Sequence, residues 1–574
     1  MQPVDYTTLV FAVGELNARI VPSRLEQVVQ PDRFTLHLGL KTFQGRGWLT
    51  CSWHPGGGRI HLTRSVPKCP DTFTFSQQIW HQVGGLALVR LHLPQPWDRV
   101  VVLEFAQRPG APTLWYLYLE IMGKHSNSIL VNQNHRIVTA AHQVSSNQSR
   151  LRPIATGDQY QFPPSQRLAS PDRGESFGSW QSRLEGLAQP LSKALLSRYR
   201  GLSQVLVREI SQRSGVELET LTQNLTVQQW QSLFQQWQFW LECLNELKYT
   251  WTETNNSYSV LPQSDQASNI NLSHKLEQYY DRFLQQEIWC QMASRITQVL
   301  SAQKQKLEQK VKEFTNRLDQ SDRAESIKDQ ADLLMANLYS ITQGTDRVRL
   351  PDFHSNNYLE IKLDPALTPI QNAQKLYKVY QKQKRTREAI EPLLAEVYKD
   401  IDYLVNVETA LSYLENNDLE SLREIYQELI ENGYIKPLEN EFYRTTKPKL
   451  EVNCHRYFTP QGNEIWVGRN NLQNDNLTFR IATNYDLWFH ALEISGSHVL
   501  LRLKPGTEPD REELELAANL AAFYSRARHS EQVAIIYTKP QSVFKPKGAK
   551  PGMVVYKQEK TIWGRPHLIN GIKQ

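Results

Sequence analysis

The sequence predicts a multidomain α+β fold: an α/β domain at the N-terminus, a helical domain, a long antiparallel coiled-coil arm with a small tip, and a second α/β domain at the C-terminus. Three observations carry this expectation. Short apolar runs of strand type fill the first 165 or so residues and return after residue 452. Between them, two long stretches repeat apolar residues every seven positions. At 574 residues the chain also exceeds what one core organises, and its length fits about three to four domains.

The first domain, expected over 1–170, opens with a helix at 6–18. Strands follow at 34–40, 47–53, 59–63 and 99–105. Pro94 and Pro96 make a stiff turn that delivers Asp98 and Arg99 to the start of the strand VVVLEF, whose unbroken apolar run implies burial. An acid and a base side by side there are either a structural ion pair or a binding pair. The segment 118–132, YLEIMGKHSNSILVN, runs as strand, break, strand. Gly123 can take φ > 0, so Lys124, His125, Ser126 and Asn127 can project from a loop held at both ends. The proline-rich stretch 160–164 closes the domain.

A helical domain is expected over 171–268. In it, Arg200-Gly201-Leu202-Ser203 precedes the amphipathic run QVLVREISQRSG, ending at Gly215. A helix between two glycine turns suits a helix-hairpin-helix module, whose amides can meet a phosphate, or an ordinary helical subdomain. The arm is expected over 269–450. Its first helix places Leu300, Leu307 and Phe314 seven apart, with Val311 and Leu318 as a second seam. The other places Ile390, Val397, Leu404 and Leu411 likewise, with Leu394 and Ile401 between them. The intervening VRLPDF and YLEIKL predict a folded tip at about 331–370.

The last domain, expected over 451–574, carries EIWVGRNNLQND and then DLWFHALEISGSHVLLRL, with a small-residue helix at 511–527. Trp488 and His490 beside basic loops supply stacking faces and phosphate partners, or else a core tryptophan and a satisfied histidine. From Lys539 onward eight basic residues face one acid, Glu559, so this segment is +7 in a chain whose net charge is +6. Such a tail marks a polyanionic partner or a solvated end.

Composition excludes several classes. There is no apolar run long enough for a membrane helix and no leader pattern, because Asp5 stands within MQPVDYTTLV, so a cytoplasmic protein with no membrane partner is expected. Five scattered cysteines without a CxxC fit reduced thiols. The grouping Cys51, His54, His61 and Cys69 matches no common zinc spacing, and neither metal nor cofactor is expected.

These motifs in this order resemble the NFACT family, the group of bacterial RqcH and eukaryotic NEMF. The resemblance rests on Asp98-Arg99, on Glu120-Ile121-Met122-Gly123-Lys124-His125-Ser126-Asn127, and on Tyr160 with Pro163-Pro164. It continues through Gly201-Leu202-Ser203, Asp332-Leu333-Leu334, Asn337-Leu338-Tyr339, Leu363-Asp364-Pro365 and Asn372-Ala373-Gln374. It ends with Gly468-Arg469-Asn470-Asn471, Asp486 with Trp488-Phe489-His490-Ala491, Gly496-Ser497-His498-Val499 and Lys545-Pro546-Lys547-Gly548. It implies an NFACT-N domain similar to the N-domain of formamidopyrimidine-DNA glycosylases, a helix-hairpin-helix domain, a coiled-coil arm, and an NFACT-R RNA-binding domain.

The resemblance also implies a ribosome quality control factor. Such a factor binds large ribosomal subunits that carry an obstructed peptidyl-tRNA, contacts rRNA, and recruits charged tRNA, in bacteria alanyl-tRNA. Stalled chains are thereby extended without a template and marked for degradation. A small S4-like RNA-binding protein is an implied partner. The implied tRNA-binding residues are Asp98, Arg99, Glu120, Ile121, Met122, Gly123, Lys124, His125 and Asn127. In the last domain the implied RNA-binding residues are Arg469, Asn470, Asn471, Asp486, Trp488, His490, Ser497, His498, Lys545, Lys547 and Lys550. No nucleophile and base of the chain's own are recognisable, so peptide-bond chemistry is expected to stay with the ribosome. Ser495 replaces the usual proline of the Gly-Ser-His turn and Leu487 a second tryptophan, which bears on fine tRNA preference. Two rival readings stand: an adhesin binding fibronectin or another matrix protein, which requires export, and a lesion glycosylase, which requires an N-terminal proline where this chain has Gln2 and Pro3.

Overall fold

The computed structural model describes residues 2–67, 72–164, 167–186, 188–254, 257–262, 270–321, 324–353, 357–436 and 454–569. They pack as two units, Met1–Gln285 and Gln286–Gln574. The first begins with helix α1 (Tyr6–Ile20), capped by the Asp5 carboxylate, which accepts from the Thr8 amide at 2.8 Å. Nine strands follow: β1 (Ser23–Asp32), β2 (Thr35–Thr42), β3 (Gly45–Ser52), β4 (Arg59–Thr63), β5 (Ala87–His92), β6 (Val100–Ala106), β7 (Trp115–Glu120), β8 (Asn127–Asn132) and β9 (Ile137–Ala140). Helix α2 (Thr74–Val83) lies between β4 and β5 in the chain.

The strands form one sheet in the order β4-β3-β2-β1-β5-β6-β7-β8-β9, antiparallel at every pairing. The unbroken apolar run of β6 is explained by burial on both faces. Val101 and Leu103 join the core under α1, and Val100 and Val102 join a second cluster with Tyr118, Ile129, Val131 and Tyr160. Cys51 is buried in that first core and His61 is buried beside Arg59, whereas Cys69 lies outside the described residues.

The same core continues without a break into α3 (Phe177–Glu185), α4 (Leu191–Arg198), α5 (Gln204–Ser214) and α6 (Val227–Glu246). Helix α5 matches the expected amphipathic run: Ser203 caps it, and Gly215 ends it at φ 69°. Trp230, Trp237 and Trp240 on one face of α6 are fully buried, and the Trp240 N–H donates to Thr7 Oγ1 of α1 at 3.0 Å. After the two-residue strands β10 (Thr252–Glu253) and β11 (Tyr258–Ser259) comes α7 (Leu272–Ser321). Its first turns seat in this unit. Tyr280 Oη donates to the Gln2 carbonyl at 2.8 Å, and the Leu272 amide donates to Glu15 at 2.7 Å.

The second unit takes up the rest of α7, then α8 (Ala324–Ala336), the hairpin β12 (Arg347–Pro351) and β13 (Tyr358–Lys362), α9 (Pro369–Tyr413) and α10 (Leu419–Glu431). Leu300 and Leu307 of α7 share a buried cluster with Val397 and Leu404 of α9, with Val311, Phe314, Ile401 and Leu411 packed against it. Lys304 pairs with Glu408 at 3.1 Å, and Tyr377 donates to Asp332. Rising numbers on one side meet falling numbers on the other, so the two sides of the arm run antiparallel. The strand-like VRLPDF and YLEIKL pair as an antiparallel hairpin within the folded tip. Leu350 and Ile361 of that hairpin bury with Leu333, Leu334 and Ala373.

The last domain consists of β14 (His455–Phe458), β15 (Glu464–Val467), α11 (Asn471–Asn476), β16 (Leu487–Ala491), β17 (Val499–Leu501), α12 (Arg511–Phe523), β18 (Val533–Thr538), β19 (Val543–Phe544), β20 (Val555–Tyr556) and β21 (Lys560–Gly564). Six strands form a sheet in the order β14-β15-β17-β16-β18-β21. Ala517, Ala518, Ala521 and Ala522 let α12 sit close on it. The approach is so tight that a Cβ on Gly564 would stand 2.4 Å from the Ala518 carbonyl oxygen.

Candidate nucleic-acid interface

Strand register brings the two N-terminal motifs together. Val100 stands opposite Glu120 across β6 and β7, and one step beyond the strands the Ile121 amide donates to the Arg99 carbonyl at 2.9 Å. Asp98-Arg99 and Ile121-Met122 therefore share one sheet end although some twenty residues part them in the chain. Gly123 has φ 61° and opens a single 3-10 turn through His125, closed by the Ser126 amide on the Gly123 carbonyl at 3.0 Å. The Ser126 hydroxyl oxygen accepts from the Met122 amide at 2.8 Å. Lys124 and His125 are exposed on the turn, and Met122 and Gly123 are half-buried.

The ends of this loop are fixed from below. Glu120 is fully buried, accepts from Arg152 through both carboxylate oxygens, and accepts from Tyr160 Oη at 2.9 Å. Burial, the Glu120 charge and the hydrogen bond to it push the Tyr160 phenol up. Asn127 is buried and ties the loop sideways, donating to the His142 carbonyl at 2.7 Å and accepting from the His142 amide at 3.0 Å. Ile121 is buried in the sheet core. Of the nine residues expected to touch tRNA, Glu120, Ile121 and Asn127 thus present no open surface.

Asp98 and Arg99 make no ion pair with each other. Arg99 donates to the Val4 carbonyl at 3.4 Å, and burial lowers the pKa of its guanidinium against the opposing pull of Asp5. Burial raises the Asp98 carboxyl, partly offset by the Arg200 charge. The preceding Trp97 sits at φ 68° and packs its ring on Tyr6 and Trp240, with centroids at 4.8 and 5.5 Å, which holds the pair at the mouth of β6. Both residues line a cavity of about 610 Å³ whose other walls include Gln2, Asp5, Met122, Arg200 and Arg208. Arg200 and Arg208 were not legible as site residues. Only their flanking of Gly201-Leu202-Ser203 pointed to them.

The C-terminal set is placed differently from the expectation of an open RNA surface. Arg469 pairs with Asp418 at 2.8 Å, Asn470 donates to Glu424 at 2.6 Å, and Asn471 donates to Glu428 at 3.0 Å. This motif grips α10. Trp488 is fully buried with its N–H on Thr478 Oγ1 at 3.1 Å, and His498 Nδ1 lies 2.7 Å from the same oxygen. Burial, with the neighbouring His490, lowers His498 to about 3, and burial lowers His490 too, so both are neutral at pH 7. Asp486 is buried against the Thr483 and Leu503 amides and Arg502, and Ser497 is buried with its amide on the Tyr524 carbonyl. Lys545 pairs with Asp475, and Lys550 pairs with Asp400 at 2.6 Å while its ammonium lies 4.8 Å from the Tyr403 and Tyr434 ring centroids. Among the described residues Lys547 alone of this set is exposed and outside an ion pair.

The family model for NFACT N-terminal and middle domains matches residues 5–448, and that for the NFACT protein RNA binding domain matches 453–558. The chain belongs to the NFACT family. A relative from Streptococcus pneumoniae serotype 2, named "Rqc2 homolog RqcH", is 32% identical over 562 residues, which span 96% of this chain and 95% of that one. A Bacillus subtilis protein of the same name is 28% identical, covering 97% of each. The C-terminal structure of the fibronectin/fibrinogen-binding protein from Streptococcus suis is 30% identical, with a TM-score of 0.38, and covers 50% of this chain and 99% of that one. In this NFACT protein the loop site and the last domain lie on one chain. Among its described residues no helix is long and apolar enough to cross a membrane.

Proposed function

We propose that this NFACT protein is a ribosome-associated quality control factor. It binds large subunits obstructed by peptidyl-tRNA, contacts rRNA, and recruits alanyl-tRNA for untemplated tailing of the stalled chain. Near end-to-end similarity to proteins named as Rqc2 homologs is the observation that carries this reading. The cavity beside Asp98 supports it. Two carboxylates, Asp5 and Asp98, and three guanidinium groups, Arg99, Arg200 and Arg208, line one concave site at a rigid sheet end, which suits a base edge and the phosphates flanking it.

Roles within the loop divide by burial. Asp98, Arg99, Met122, Gly123, Lys124 and His125 meet tRNA directly, while Glu120, Ile121 and Asn127 hold the loop in place. Helix α5 with its glycine turns serves as a helix-hairpin-helix element, and the paired long helices serve as a coiled-coil arm whose tip reaches the ribosome. The protein acts without catalysis of its own, in the cytoplasm, with an S4-like protein as companion. The test is to purify it from its own cells, sequence the co-purifying RNA, and read the nascent-chain ends by mass spectrometry. Recovery of tRNA and large-subunit rRNA with alanine tails is expected. Fibronectin capture without RNA would favour the adhesin reading instead.

A further inference from the structure

With Trp488 in the core and Arg469 and Lys550 held against the arm, the open chemistry of the last domain lies at its other end. β21 is an edge strand of the sheet. Its Ile562 packs toward α12 and Gly564 lies against Ala518, so strand alternation turns Thr561 and Trp563 to the opposite face. On that face Thr561 stands opposite Ile536, which packs on Val543 of β19. The next residue of β19, Phe544, points outward. Trp563 is 60% exposed and Phe544 49%. The Lys557 ammonium lies 5.8 Å from the Phe544 ring centroid, and Lys539 and Lys560 are exposed where β18 ends and β21 begins. Among the described residues none of these three lysines has an ion-pair partner, and Glu559 is the single acid between them.

Two large exposed rings on this side of the sheet, one of them with an unpaired lysine against it, offer chemistry that selects an occupant. Unpaired bases stack on aromatic faces whatever their sequence, lysines take the phosphates, and a duplex hides its bases from such rings. We propose that Phe544 and Trp563 form a stacking platform for single-stranded RNA, with Lys539 and Lys557 as its phosphate partners. This assignment rests on the last domain being an RNA-binding one and replaces the buried Trp488 and His498 as its base-contacting face.

The test uses the full-length chain with a short fluorescent oligouridine and an RNA duplex of matched length. Phe544→Ala with Trp563→Ala is expected to weaken oligouridine binding about tenfold or more at an unchanged melting temperature, while duplex binding stays the same. The pair Phe544→Tyr and Trp563→Phe is expected to restore affinity. Lys557→Gln is expected to lower the salt slope by roughly 0.7. Ultraviolet cross-links of the unmodified protein to oligouridine are expected within 539–564, a readout that does not depend on any variant folding. Unchanged oligouridine affinity in the alanine pair, or cross-links confined to other segments, overturns the platform and leaves the RNA-binding reading standing. Failure of the unmodified protein to bind either RNA at low salt overturns both.

Discussion

Replacing Arg152 by alanine tests whether the buried Glu120 is what holds the 3-10 turn in place. Glu120 is fully buried, and its carboxylate has Arg152 on both oxygens and Tyr160 on one. Arg152→Ala removes the countercharge and leaves a desolvated carboxylate with Tyr160 as a neutral donor. Breaking a buried pair in this way costs about 3 to 5 kcal/mol, since the remaining charge has no route to water. For a unit of this size the corresponding fall in melting temperature is roughly 2 °C per kcal/mol, hence about 6 to 10 °C. Glu120→Gln with Arg152→Met removes both charges and should cost much less. The assay is thermal unfolding by circular dichroism alongside tRNA affinity. Because Asp98, Arg99, Lys124 and His125 are untouched, lost tRNA affinity in a still-folded Arg152→Ala protein identifies Arg152 as a positioning residue. A stability loss below about 1 kcal/mol, the range of an exposed pair, would refute the reasoning.

Two further outcomes follow from the contacts of the last domain with α9, α10 and the residues just after them. Glu428 is raised to about 7 by burial, against the hydrogen bonds from Asn471 and Tyr403, and its Oε2 has no partner among the described residues. Its folded pKa exceeds its unfolded value, so stability is highest below the unfolded pKa and falls as pH rises toward 7. The loss is on the order of 3 kcal/mol. Glu428→Gln should flatten that slope and raise the melting temperature at pH 8; an unchanged pH profile would contradict it. Lys550→Ala, which removes the partner of Asp400 and Tyr434, should destabilise by about 1 to 3 kcal/mol, whereas Lys547→Ala should stay within about 0.5 kcal/mol. Equal effects in urea unfolding would contradict the pairing seen here.

Much of the fold was legible because its signals are local. The strand pattern over 59–63, the Ser203 and Gly215 boundaries of α5, the strand-like segments of the tip and the apolar spacing of the two long helices all depend on neighbours within a few turns. Three things were not local. Asp98 and Met122 meet only because β6 and β7 pair in the register Val100 to Glu120, and no feature of either motif states that register. The donors of Arg469, Asn470 and Asn471 after Gly468 suit phosphate oxygens and carboxylates equally. Here the acceptors are Asp418, Glu424 and Glu428, whose spacing along α10 was the readable hint. Trp488 and Trp563 have the same side chain, and only the sheet's layering buries one and exposes the other.

The proposed tRNA recruitment rests on Asp98 and Arg99, and the most direct measurement is tRNA recovery with the double variant Asp98→Ala, Arg99→Ala purified from cells. The two residues make no pair with each other, and the bond from Arg99 to the Val4 carbonyl is long at 3.4 Å, so the melting temperature should barely move. The prediction is loss of both co-purifying tRNA and C-terminal tails while large-subunit rRNA is still recovered, and Arg99→Lys should fail as well because it lacks the planar fork. Normal tRNA recovery with normal tails would contradict the assignment and leave Asp98 and Arg99 as ordinary surface residues of a sheet end.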